Sequence, residues 1–289
     1  MIFTVIPVHN RKEFTRNCLG SLRNQTNRNF KVLVIDDGST DGTAEMLANK
    51  FPEVHVINGD GNLWWTRAVN LGVDYALHQG TTAVLTLNND TIAPEDFIEK
   101  MVYWADKFPT ALLGAFAIDA TSLKPVYGGE VLDWKLAASR SLLDTLPKEE
   151  WHGLHDVTHL PGRGLYIPAE VFGRIGLFDE RHLPHYLADY DFTHRARRAG
   201  YKVFCNYDAI LRVYPAVSGD AENKARKSFP KYYRHLFGIT GGGNLRDFCF
   251  YAIANCPPKF LPLFLPIGLG RRIAGYLRDW LLELFGKRP

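Results

Sequence analysis

The chain has 289 residues, 46% apolar and 22% charged, a balance that fits a globular core and excludes a disordered or fibrous protein. Its net charge of +3 hides an asymmetry: residues 220–289 hold 12 Lys and Arg against 5 Asp and Glu, and the first 219 hold 22 against 26. The four dispersed cysteines, Cys18, Cys205, Cys249 and Cys256, match no common zinc spacing and read as reduced thiols.

Four apolar runs each lead into a helical segment: Phe3–Ile6 into Lys12–Gln25, Val32–Ile35 into Thr43–Lys50, Val54–Ile57 into Trp65–His78, and Ala83–Leu87 into Glu95–Phe108. Continuous apolar strands alternating with helices predict an α/β fold with a Rossmann-like, mostly parallel central sheet flanked by helices. Asp41 or Thr40 is placed to cap the second helix. Ligands of such sheets sit beyond the carboxyl ends of the strands, and polar residues gather there: Pro7 to Asn10, Asp36-Asp37, Asn58 to Asn62 and Asn88-Asn89-Asp90. No glycine fingerprint follows the first strand and no P-loop occurs, which argues against dinucleotide redox chemistry and P-loop hydrolysis.

Trp64 and Trp65 adjoin at a loop-to-helix junction, and neighbours on a helix point about 100° apart, so one should be buried and the other left free. A free indole is an apolar platform with one donor, suited to a sugar ring or a lipid. Arg67, on the first turn of the same helix, can either reach a diphosphate or sit on the surface. Gly162 and Gly164 around Arg163 read as a loop where backbone approaches a ligand, or as a plain turn. Asp189 opens a helix ending at Gly200; of Asp189 and Asp191, one can cap that helix while the other reaches a site. His152, His155, His159, His182 and His185 show no metal-ligand spacing, and the stretch from Ile118 to Trp151 carries no signal of its role.

No stretch of the tail reaches the roughly 18 to 20 apolar residues of a spanning helix, and Pro262 and Pro266 are expected to break the best candidate. The basic, amphipathic segment 257–285 fits either an anionic membrane surface or packing against protein; amphipathicity does not choose. No nucleic-acid module is present, and the oligomeric state is not legible. The chain begins directly in a strand without signal-peptide features, so a cytoplasmic location is expected, with the inner face of the cytoplasmic membrane as its peripheral site.

Taken together, Thr4 to Asn10, Cys18 to Thr26, Val34 to Thr43 and Leu87 to Asp90 resemble a family 2 glycosyltransferase of the GT-A fold. The resemblance continues through Pro161 to Ile167, Ile175 to Glu180, Ala188 to Phe192 and Arg197 to Tyr201. It implies a GT-A domain over 1–219, with a nucleotide-sugar half (1–117) and an acceptor-side half (118–219), followed by a basic amphipathic helical extension over 220–289. The implied reaction is inverting transfer from a nucleoside-diphosphate sugar to a saccharide or lipid-linked acceptor, as in surface polysaccharide or glycolipid synthesis.

In that resemblance Asp189 matches the catalytic aspartate, a general base for the acceptor hydroxyl. Asp37 matches the residue that accepts from the nucleotide base, Pro7 and His9 line the same pocket, and Arg67, Asn89 and Asp90 fall to the donor. Trp64, Trp65, Gly162, Arg163, Gly164 and Asp191 fall to the sugar and acceptor. Asp90 is the remaining carboxylate of a D-x-D-type motif, so Mn²⁺ or Mg²⁺ is the implied cofactor, weakly held without donor because Asn88 and Asn89 fill the other places. Ala188 stands where an acidic residue usually precedes the base, and no His occurs within Asp208 to Ser218, where Arg212 or Tyr214 could substitute. The asparagines resemble rhamnosyltransferase-like members, which points to a UDP- or dTDP-sugar, dTDP-rhamnose among them. Two other readings stay open: a non-catalytic carbohydrate- or nucleotide-binding scaffold, and a sugar nucleotidyltransferase, although the latter expects a glycine-rich basic loop where this chain has Pro7 to Glu13.

Overall fold

The computed structural model describes residues 1–215 and 228–284. The first half follows the predicted alternation: β1 (Ile2–Val8), α1 (Lys12–Arg23), β2 (Phe30–Asp36), α2 (Thr43–Lys50), β3 (His55–Asn58), α3 (Trp64–His78), β4 (Ala83–Thr86), β5 (Thr91–Ile92) and α4 (Phe97–Lys107). There follow β6 (Leu112–Asp119), β7 (Pro125–Tyr127), β8 (Glu130–Asp133), β9 (Ala138–Ser141), α5 (Leu142–Thr145), β10 (Leu154–Asp156), β11 (Leu165–Pro168), α6 (Ala169–Ile175), α7 (Ala188–Arg198) and β12 (Val203–Val213). Three helices come last: α8 (Phe229–Phe237), α9 (Leu245–Asn255) and α10 (Leu261–Leu284).

The main sheet runs β10-β12-β6-β11-β4-β1-β2-β3. β1 pairs in parallel with β2 and β4, and β2 with β3, so chain order reverses at β1 and a crevice opens between the ends of β1 and β4. Beyond β4 the sheet becomes mixed: β11 lies antiparallel between β4 and β6, because it arrives from a loop and not through a crossover helix. β5 pairs with the end of β12 and brings Arg212 opposite Ile92, beside the Asn88–Asp90 turn.

The parallel half reads as unbroken apolar runs because both faces are covered; Val5, Ile6, Leu33, Val34, Ile35, Val84 and Leu85 are buried. α3 lies close across β1 and β2 at Gly72, where an added Cβ would overlap Val5. Gln25 ties the end of α1 to the start of α4: its amide donates to the carbonyls of Ala93 and Pro94 at 3.2 and 2.7 Å and accepts from the Ile98 amide at 2.9 Å. The expected cap of α2 takes another form. Gly42 holds the cap position with φ 83°, and Asp41 instead accepts from the amide and hydroxyl of Thr43 and from the Lys12 amide.

The boundary expected at 219/220 lies outside the described residues. The C-terminal helices themselves are joined to the core: Asn255 on α9 donates to Asp191 at 2.8 Å and accepts from Arg198 at 2.7 Å, and Trp134 packs on Tyr251 and Phe264. The prolines do not break α10. Pro262 occupies the first turn, where no amide bond is needed, and Pro266, inside the helix, forgoes one amide bond while the helix continues to Leu284. No described helix is long and apolar enough to cross a membrane.

Candidate active site

The crevice is built from six chain segments: the turn after β1, the loop after β2, the segment 59–65, the turn after β4, the loop that carries Gly162, and the start of α7 with Asp189. Asn10 and Arg11 both adopt left-handed backbone, with φ of 57° and 60°. Two successive non-glycine residues there cost of order 1–3 kcal/mol each, and less for Asn, so the surroundings must hold them. The loop after β2 does so: Ser39 accepts from the Asn10 amide at 2.7 Å, Asn10 accepts from the Thr40 amide at 2.9 Å, and Asp41 accepts from the Lys12 amide at 2.7 Å. The turn aims Arg11 across the crevice, where it donates to Asp90 at 3.2 Å.

Asp37 is 6% exposed and accepts from three backbone amides, Gly61 at 2.8 Å, Leu63 at 2.9 Å and Trp64 at 3.3 Å. Its oxygens therefore have a structural role, holding the 59–64 loop. Asp36 has a structural role too, accepting from the Ser39 amide at 3.2 Å. Pro7 is half-buried, and His9 is exposed with Nδ1 2.6 Å from the Asp37 carbonyl.

The tryptophans part as their spacing predicts. Trp65 is half-buried, donates from its indole to Asn88 at 3.0 Å and meets Phe178 edge-on. Trp64, at φ 56°, is 39% exposed and meets His185 edge-on. Burial, then the charge of Arg11, hold His185 down to about 4, so the imidazole is neutral at ordinary pH. Arg67 is exposed on the same helix. Gly162 and Gly164 are required by packing: a Cβ on Gly162 would overlap the Trp65 indole, and Gly164, at φ 75°, abuts Ala115. Arg163 between them is half-buried, its Nε without a hydrogen-bond partner among the described residues.

Asp189 is half-buried at the start of α7 and accepts from the Gly162 amide at 2.7 Å and the Tyr190 amide at 2.9 Å. Burial pushes its carboxyl up against the opposing pull of these amides. Neither Asp189 nor Asp191 is the cap, a position held by Leu187 at φ 67°. Asp191 is only 2% exposed; Arg195 at 2.8 Å and Asn255 take its oxygens, so it fastens the C-terminal segment to α7.

The implied metal can be tested against the donor set. Asp90, 4% exposed, is paired with Arg11; the Asn88 side-chain oxygen accepts from Trp65; and Asn89 is buried with its amide nitrogen on Thr15 at 3.0 Å. Among the described residues no three His, Cys, Asp or Glu side chains gather to hold an ion. One carboxylate already on a guanidinium, with both asparagine side chains engaged elsewhere, does not fit a resident divalent cation, which takes six or more oxygen ligands. Arg11 and His185 are the site residues that sequence reasoning missed; Arg11 directly follows the first motif, and His185 sits four residues before Asp189.

A family model described as Glycosyl transferase family 2 matches residues 4–147. Among curated proteins the chain is 23% identical over 184 residues to the glycosyltransferase GlyG of Streptococcus pneumoniae, covering 54% of this chain and 59% of that protein. It is 26% identical over 203 residues to an N-acetylglucosaminyl-diphospho-decaprenol L-rhamnosyltransferase of Mycobacterium tuberculosis, covering 63% of this chain and 66% of that one. The chain thus spans about three fifths to two thirds of the length of these relatives. Among solved structures, GalNAc-T7 with UDP, GalNAc and Mn²⁺ superposes with TM-score 0.61 at 13% identity, over all of this chain and 58% of that one. TarS 1–349 of S. aureus superposes with TM-score 0.57 at 13% identity, over 99% of this chain and 91% of that one. With its strand-end crevice, its matched motifs and its shared architecture, the chain belongs to glycosyl transferase family 2 and has the GT-A fold.

Proposed function

We propose that this protein is an inverting glycosyltransferase that moves a sugar from a nucleoside-diphosphate donor to a saccharide or lipid-linked acceptor, with Asp189 as the general base. The observation that carries the reading is the Asp189 carboxylate, fixed by the Gly162 amide at the rim of the crevice with its proton affinity raised by burial. A base works best when its pKa approaches the working pH, and rigid placement keeps it in line with the attacking hydroxyl. Its neighbours supply the rest: the mouth at Pro7 and His9 for the nucleotide, Arg11 for the diphosphate, and Trp64 as an apolar face for a sugar ring. Arg67, on the helix that Trp64 opens, is a second cation within this reading. A UDP- or dTDP-sugar donor, dTDP-rhamnose among the candidates, is supported by the asparagines before Asp90 and by the rhamnosyltransferase among the relatives.

A surface for lipid-linked acceptors accompanies the site in this reading. Phe229, Tyr233 and Phe237 recur every fourth residue along α8, each more than half exposed, in a C-terminal segment rich in Lys and Arg. Exposed aromatics beside basic residues suit an anionic lipid surface on the cytoplasmic side. α10 offers Leu263, Ile273 and Leu281 as further exposed apolar residues, while its Phe264 and Tyr276 are buried.

The test is Asp189→Asn. Turnover of the nucleotide sugar should fall by about 10²-fold or more while nucleoside-diphosphate affinity stays within a few fold. Undiminished turnover would remove Asp189 as base, and a wild-type protein that binds nucleotide without any transfer would support a scaffold instead.

A further inference from the structure

We propose that the Arg11 guanidinium, steadied by Asp90, supplies the positive charge that binds the donor diphosphate, so that nucleotide binding does not depend on a divalent ion. The inference rests on the transferase reading and goes beyond it by naming the group that neutralises the leaving phosphates.

Three observations converge. Arg11 lies at the β1 side of the crevice and Asp90 at the β4 side, so their 3.2 Å bond spans the place where strand order reverses and ligands of open α/β sheets sit. The backbone is built to present that side chain: successive left-handed residues at Asn10 and Arg11 are clamped by Ser39, Thr40 and Asp41. The chemistry of the donor set also disagrees with a cation cage, since the motif offers a single carboxylate with Arg11 already on it.

A guanidinium has five donors in a plane, and Asp90 uses only one of its nitrogens here. The Arg11 side chain remains 44% exposed, so its other donors can meet phosphate oxygens as a fork. Asp90 then positions Arg11 in place of ligating a metal. Nearby His185 is neutral at ordinary pH and contributes no competing charge. On transfer, the bond between the anomeric carbon and the phosphate oxygen breaks, both its electrons pass to the diphosphate, and Arg11 stabilises the negative charge that develops there. The acceptor oxygen forms the new bond to that carbon and releases its proton to Asp189.

The experiment is calorimetric titration of the full chain with UDP, dTDP and GDP, and with their nucleosides, in EDTA and in Mn²⁺. The expected result is a preferred nucleoside diphosphate whose Kd in EDTA lies within about threefold of that in Mn²⁺. Arg11→Gln should weaken it at least tenfold in EDTA and leave nucleoside binding within twofold. Arg11→Lys should recover part of the loss, and unchanged thermal unfolding of both variants establishes that they fold. Binding that requires Mn²⁺ in the wild-type protein, or Arg11→Gln binding as tightly as wild type in EDTA, overturns this proposal and leaves the transferase reading in place. Binding of no nucleotide under either condition overturns both.

Discussion

Replacing Asp37 by Asn separates a loop-holding carboxylate from one that reads a nucleotide base. Asp37 is almost buried, and its two oxygens share three backbone donors: Gly61 on one, Leu63 and Trp64 on the other. Asn keeps one oxygen, so its better orientation retains Leu63 and Trp64 and turns an NH₂ group toward the Gly61 amide. One charge-assisted bond disappears, at ~1.5–3 kcal/mol, and a donor faces a donor in a confined place, which adds ~1 kcal/mol or more. The two retained bonds also weaken on loss of the charge. A destabilisation of about 3–4 kcal/mol follows, which for a chain of this size lowers the melting temperature by roughly 5–7 °C. Urea unfolding with a two-state fit gives the free energy, and nucleotide titration of the still-folded variant gives the affinity. Both should fall, because the loop that Asp37 holds carries Trp64 into the crevice. An unchanged unfolding midpoint with nucleotide binding lost would refute the reasoning and return Asp37 to direct contact with the base.

The pH dependence of turnover should show an acid limb set by Asp189. Its folded pKa is raised, so kcat/KM rises with pH through a value above the ordinary aspartate range and is lost as the carboxyl protonates below it; a limb at or below the usual aspartate value would contradict this. Gly162→Ala drives a methyl group into the Trp65 indole and displaces the amide that holds Asp189. It should cost roughly 1–3 kcal/mol in urea unfolding, with turnover reduced more than nucleotide affinity. Asp191→Ala and Asn255→Ala each remove the 2.8 Å bond between α7 and α9, so a double-mutant cycle on stability should return a coupling of about 1 kcal/mol or more; additive losses would mean that the pair does not tie α9 to α7. Phe229→Ser, Tyr233→Ser and Phe237→Ser combined should reduce co-sedimentation with vesicles containing anionic phosphatidylglycerol several-fold and leave soluble-acceptor turnover intact. Equal sedimentation of wild type and variant would exclude this face as the lipid contact.

The amino-acid sequence by itself determined the strand and helix alternation of the first 108 residues and the gathering of polar residues at the strand exits. Apolar periodicity and helix-end chemistry are local, and both repeat there. Its motifs in order also fixed the family. What each polar group bonds was decided only by the tertiary structure, because those partners are distant in sequence. Asp36 and Asp37 are indistinguishable as neighbours, yet the 59–64 loop places three amides around Asp37. Asp191 reads as a second site carboxylate until Asn255 arrives from a helix 64 residues away. Gly162 reads as room for a ligand, and the space belongs to Trp65. Arg11 carries no motif signal of its own; it joins the site through left-handed backbone that only the loop after β2 can hold, and through a carboxylate 79 residues further along the chain. Burial of a charge depends on every element packed around it, and for that reason the crevice could be located from the sequence while the duties of its residues could not.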